Sequence, residues 1–147
     1  MKGCKTGALL SLVLILLLAA GCSTPSAKDP QAGSVPKKMH ADSGLAQKAA
    51  DAAKTVPGVR DATAVAVNRG ILVGIKVSGF DRLRLKAVKT GVLNKVKTAS
   101  PGYGVLVTAD KKLFSELRGL EGQIRAGGYE QAAILQKLGK IKKDMGD

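Results

Sequence analysis

Apolar and polar positions along this chain fall into three patterns, and each predicts a different kind of element. The first is an unbroken apolar block: residues 8–18 are Ala, Leu, Val and Ile except for Ser11. The second is helical spacing. Over residues 43–55, Leu45, Ala49, Ala52 or Ala53, and then Val56 fall near one face, the 3.6-residue period of a half-buried helix. Asp42 or Ser43 caps this helix, and Pro57-Gly58 stops it. The third is strict alternation over residues 59–67. Val59, Thr63, Val65 and Val67 point one way, and Arg60, Ala62, Ala64 and Ala66 point the other, as in a strand. Asn68-Arg69-Gly70 reads as a turn. After it, Ile71, Val73, Ile75 and Val77 alternate with Gly74, Lys76 and Ser78, so the two runs pair as an antiparallel hairpin.

Helical spacing returns over residues 81–98, where Leu85, Val88, Val92 and Val96 make the inward stripe. Gly91 costs this helix about 1 kcal/mol relative to Ala. Ser100-Pro101-Gly102 ends it, and a third strand follows over 103–108 with Val105 and Val107 on one face. A third helix spans 110–126, capped by Asp110, with Leu113, Phe114, Leu117, Leu120 and Ile124 as its stripe. Gly127-Gly128 breaks it. A fourth helix spans 129–145, with Ile134, Leu135, Leu138 and Ile141 on one side. The order predicts an α/β (α+β) protein: an αββαβ module over residues 43–118, with a three-stranded sheet and its helices on one face. Residues 119–147 form a C-terminal helical extension that either continues this packing or serves as a partner-binding arm.

The apolar block changes the reading of the N-terminus. Lys2 and Lys5 precede it, and Leu16-Leu17-Leu18-Ala19-Ala20-Gly21-Cys22 closes it. A charged start, a short apolar run and small residues before a cleavage point make an export signal over residues 1–21. The run is shorter than the about 20 apolar residues of a spanning helix. The residues around Cys22 read as a lipobox: cleavage between Gly21 and Cys22 leaves Cys22 as a lipidated N-terminus. Ala19 stands three before the cysteine, where Leu is the commonest residue. Residues 23–42 are rich in Ser, Pro, Lys, Ala and Gly without periodicity, which predicts a flexible tether with a coil-like span of about 25 Å. The segment 22–42 is then the lipidated N-terminus and its tether.

Composition bears mainly on partners. Of 147 residues 45% are hydrophobic but only 3% aromatic, with no Trp. The core is therefore aliphatic, with few stacking platforms. The formal charge is +13; loss of Lys2 and Lys5 with the signal leaves +11 by subtraction. That balance favours polyanions. On an exported protein these are anionic lipid and wall polymer, and no nucleic acid partner is expected. The surface feature best suited to the role is the second helix, which carries Arg82, Arg84, Lys86, Lys89, Lys95 and Lys97 with no acid between them. The lysines at the end of the fourth helix, Lys137, Lys140, Lys142 and Lys143, are partly accounted for by the helix dipole.

Catalytic groups are sparse. The one His, His40, lies in the tether, which leaves a nucleophile–base–acid triad without its base. Cys4 leaves with the signal and Cys22 is the lipid site, so no thiol remains for a disulfide or a metal. The acids Asp51, Asp61, Asp81, Asp110, Glu116, Glu121 and Glu130 are scattered and read as caps and surface charges. Gly119-Leu120-Glu121-Gly122 has the glycine spacing of a KH-domain loop, but lies in a helical stretch. No enzyme activity, cofactor or metal is expected.

At Val56-Pro57-Gly58-Val59-Arg60-Asp61-Ala62-Thr63, followed by the hairpin, the chain resembles the YhcN/YlaJ family of sporulation lipoproteins. A second match runs from Val105 through Thr108, Asp110 and Phe114 to Leu117. The likeness covers residues 41–119. It implies a membrane-attached protein of an endospore-forming bacterium, expressed in sporulation and associated with the spore inner membrane and with germination or outgrowth. Its partners would be the membrane, through the N-terminal lipid, and other spore membrane proteins. The family brings no catalytic residues to carry over.

Overall fold

In the computed structural model, which describes residues 38–146, the chain enters the fold before the first helix begins. Met39 is buried, and its amide donates to the Gln131 side chain at 3.3 Å. His40 is exposed, but its backbone is pinned: its amide donates to Asn68 Oδ1 at 3.1 Å, and its carbonyl accepts from the Asn68 amide at 2.7 Å. Ala41 forms an antiparallel bridge with Val67. Polar composition alone places these residues in the tether; hydrogen bonding to the hairpin turn draws them in. Residues 1–37, including Gly21 and Cys22, lie outside the described residues.

Helix α1 (Ser43–Lys54) is capped by Asp42, whose carboxylate accepts from the Leu45 amide at 2.8 Å. Strands β1 (Val59–Val67) and β2 (Gly70–Val77) form the antiparallel hairpin. Asn68 turns it with φ of 56°, a backbone region that Asn tolerates better than most residues. A short 3-10 helix (Phe80–Arg84) leads into α2 (Leu85–Ala99). Strand β3 (Gly104–Thr108) then pairs parallel to β2, giving the sheet order β1-β2-β3. Helices α3 (Lys111–Ala126) and α4 (Gln131–Gly146) complete the chain.

The sheet is covered on both faces. On one, α1 contributes Ala46, Ala49, Ala50 and Ala53, and α2 contributes Val88, Val92 and Val96. They meet Ala62, Ala64 and Ala66 of β1 and Ile71, Val73 and Ile75 of β2. The register places each small β1 residue beside a large β2 residue: Ala62 opposite Ile75, Ala64 opposite Val73, Ala66 opposite Ile71. Alanine on both α1 and β1 lets that helix and strand approach closely. On the other face, Leu113, Leu117 and Leu120 of α3 and Ile134, Leu138 and Ile141 of α4 cover Val65 and Leu72. The αββαβ order, the three-stranded sheet and the placement of α1 and α2 on one face follow the sequence pattern. The C-terminal helices lie on the opposite face rather than standing free. Helix α3 runs without interruption through residues 118 and 119.

One strand face differs from the alternation. The pairing shifts between Val59 and Asp61, so Arg60 is an extra residue in β1. A bulge moves the residues before it to the other face. Val59 therefore packs with the α1–α2 core and not with Val65.

Candidate functional site

The predicted cations do not form a single stripe. Arg82 and Arg84 lie on the 3-10 helix, and the four lysines lie on α2. At about 100° per residue, Lys86 and Lys97 share the solvent side, while Lys95 lies about 180° from Lys86. Lys89 borders β3 across a surface groove. Among the described residues the ion pairs are Lys54–Asp51, Lys112–Glu116, Arg118–Asp61 and Arg125–Glu121, so none of the six cations is neutralised by a pair.

Arg82, Lys86 and Lys89 come together along this open groove of about 650 Å³. Leu83, Leu85, Thr90 and Leu93 line the same wall, and Val105, Leu106 and Val107 of β3 form the other. The groove exists because β3 is an edge strand paired only to β2. Lys95 and Lys97 do not reach it.

At the end of this groove the 3-10 helix places two large apolar side chains in solvent: Phe80 is 92% and Leu83 is 97% exposed. Three residues make one 3-10 turn, so positions 80 and 83 lie one above the other. Asp81, between them, is turned away. Its carboxylate accepts from the Ser78 hydroxyl, and its amide donates to Ser78 Oγ at 3.2 Å. The same carboxyl packs on Gly58, where φ is +95° and an added Cβ would lie 2.9 Å from Asp81 Cγ. The tip therefore shows solvent two apolar groups and three cations, Arg82, Arg84 and Lys86. The alternation and helical stripes did not single out Phe80 or Leu83. A signal was present: at 100° per residue, Leu83 falls about opposite the Leu85, Val88, Val92 and Val96 stripe.

Most of the acids have local partners. Asp61 pairs with Arg118 at 2.8 Å, and Glu121 accepts from the Thr63 hydroxyl and pairs with Arg125 at 2.5 Å. Asp110 caps α3, accepting from Lys112 and Leu113 amides at 2.8 and 2.9 Å. Asp51 accepts from Gln47 at 2.9 Å. The Gly119 to Gly122 stretch is helical, with Leu120 buried. No cluster of three His, Cys, Asp or Glu residues suited to a metal occurs among the described residues. No helix among them is long and apolar enough to cross a membrane.

Comparison with known proteins adds the remaining observation. The model of the family described as sporulation lipoprotein YhcN/YlaJ matches residues 26–141. The chain belongs to this family. That family is one of sporulation lipoproteins. The chain is also 32% identical over 98 residues to the "Probable spore germination lipoprotein YlaJ" of Bacillus subtilis (strain 168). That alignment takes in 66% of this chain and 46% of the relative, so the chain spans about half of that protein's length. The YhcN/YlaJ match reaches well past Gly119, where the motif likeness stops, to Ile141, a buried residue of α4. The family's span thus includes the helix that closes the second face of the sheet.

Proposed function

We propose that this protein is a non-enzymatic lipoprotein, acylated at Cys22 after cleavage behind Gly21. It is held outside the cytoplasm on the cell membrane or the spore inner membrane. Its role is structural or interactive, in sporulation, germination or outgrowth. The observation that carries this reading is the family match over residues 26–141, which begins four residues after Cys22. The residues before it have the order of a lipoprotein signal. The folded part is then a membrane-side module that presents side-chain surface rather than a reaction centre. In the spore-forming source, loss of the chain should slow or impair germination or outgrowth. A Cys22→Ala chain at normal abundance should behave like the loss. Full function of Cys22→Ala would contradict the role of the anchor.

A second reading has its own support in the unpaired cations. Arg82, Lys86 and Lys89 line one groove without an acid beside them, an arrangement suited to anionic lipid or wall polymer. Binding to teichoic acid or to anionic vesicles should weaken steeply with salt. It should weaken further when Arg82, Arg84, Lys86 and Lys89 are changed to Gln. Equal binding by the Gln variant would end this reading.

A further inference from the structure

We propose that the 3-10 tip is a membrane wedge: Phe80 and Leu83 enter the acyl boundary of an anionic bilayer while Arg82, Arg84 and Lys86 rest on its headgroups. Three features of the tip lead here. First, Phe80 and Leu83 are both more than 90% exposed and lie on one side of a single turn. Large apolar side chains left together in water call for a covering surface. Second, the groups around them are cationic. The acid within the turn, Asp81, is folded back onto Ser78 and Gly58, so its carboxylate is turned aside and three cations outnumber it at the tip. Apolar residues flanked by Lys and Arg are the composition of segments that lie in a membrane interface. Third, the length of the chain allows contact. The chain joins the fold at Met39–Ala41, beside the hairpin turn, whereas the tip follows the far end of β2. Eight residues of β2 separate the two ends by about 26 Å. The 17 residues from Cys22 to Lys38 reach about 55 Å when extended, more than twice that distance. A chain held at Cys22 is therefore long enough for the domain to turn this tip toward the bilayer.

The proposal rests on the extracytoplasmic reading and deepens it by giving the folded domain its own contact with lipid. It differs from the polyanion reading in requiring the apolar pair as well as the charges. A protein partner seated on the tip is the competing occupant, and it leaves Phe80 and Leu83 outside the bilayer.

The absence of Trp from the chain supplies the test. The full chain carrying Phe80→Trp or Leu83→Trp is reconstituted into phosphatidylglycerol vesicles. Gln123→Trp, an exposed position on α3, is the control. Both positions of the tip are exposed, so the replacements leave the core intact. The Phe80→Trp and Leu83→Trp chains should emit at shorter wavelength than the Gln123→Trp chain. Brominated acyl chains should quench the first two and leave the control unquenched. Changing Arg82, Arg84 and Lys86 to Gln in the Phe80→Trp chain should lower the inserted-to-free ratio by up to about 100-fold, about fivefold per cation. Leu83→Ser in the same chain should lower it about tenfold, the effect of losing one partly buried apolar side chain. Vesicles of phosphatidylcholine should show the loss given by the Gln variant. The readout holds whether acyl chains or the apolar run of residues 8–18 attach the chain, so failed lipidation does not imitate failed insertion. Aqueous emission and no quenching for both the Phe80→Trp and Leu83→Trp chains in anionic vesicles would overturn the proposal and leave the tip to a protein partner. Insertion unchanged by Leu83→Ser would also overturn it.

Discussion

At Gly74 the lack of a side chain lets α3 descend onto the sheet. A Cβ there would lie 3.2 Å from the Phe114 Cα, 3.2 Å from Thr63 Cγ2 and 3.3 Å from Leu117 Cδ1. One of those neighbours is backbone, so the strain cannot be relieved by a rotamer change alone. Gly74→Ala should destabilise the fold by about 1–3 kcal/mol, seen as a lower denaturant midpoint with unchanged slope. Gly119 is the opposite case: it lies mid-helix in α3 with nothing within 4 Å of an added Cβ. Gly119→Ala should stabilise by about 0.5–1 kcal/mol. The sequence does not distinguish these two glycines, because the difference lies in what sits above them. The same limit explains Val59. Alternation assigns it to the face of Val65, but one extra residue at Arg60 reverses it, and no residue type there announces a bulge. The reading of Cys22 is of a different kind: it rests on local spacing alone, lies outside the described residues and stands as a proposal.

At the scale of elements, period and punctuation carry most of the information. The expected strand over 59–67 and the observed Val59–Val67 coincide, and the expected helix over 110–126 begins one residue later, at Lys111. Asp110 reads as a cap in sequence, and its carboxylate accepts two amides of the first turn. Asp110→Ala should cost about 1 kcal/mol of stability, again read from the denaturation midpoint. The face that each helix covers is less legible. A stripe such as Leu113, Leu117 and Leu120 says that something is covered, but not which side of the sheet. Because the opposite face of the sheet also carries Val65 and Leu72, α3 and α4 settle there. Ile134 is 2% exposed in that second core. Ile134→Ala should cost about 2–5 kcal/mol in global unfolding. Loss of helix content with no shift in the midpoint would instead make α4 an independent arm.

For the whole molecule, the sheet order separates a lipid-proximal question from a folding one. With both faces of the sheet buried, the exposed large apolar side chains among the described residues are those of the Phe80–Leu83 tip, beside the β3 groove, so both proposed contacts fall at that edge. The net charge of +13 was legible at once. Its division between a groove set, Arg82, Lys86 and Lys89, and the outlying Lys95 and Lys97 needed the helix to be placed against β3. The family match covers residues 26–141, and the attachment point proposed at Cys22 lies just before it. Attachment through Cys22 is the claim on which the rest of the functional account stands. Growth of the source organism with a labelled fatty acid, followed by isolation of the protein, tests it directly. The wild-type chain should carry label and lack residues 1–21, and the Cys22→Ala chain should carry none; an unlabelled wild-type chain would contradict the account.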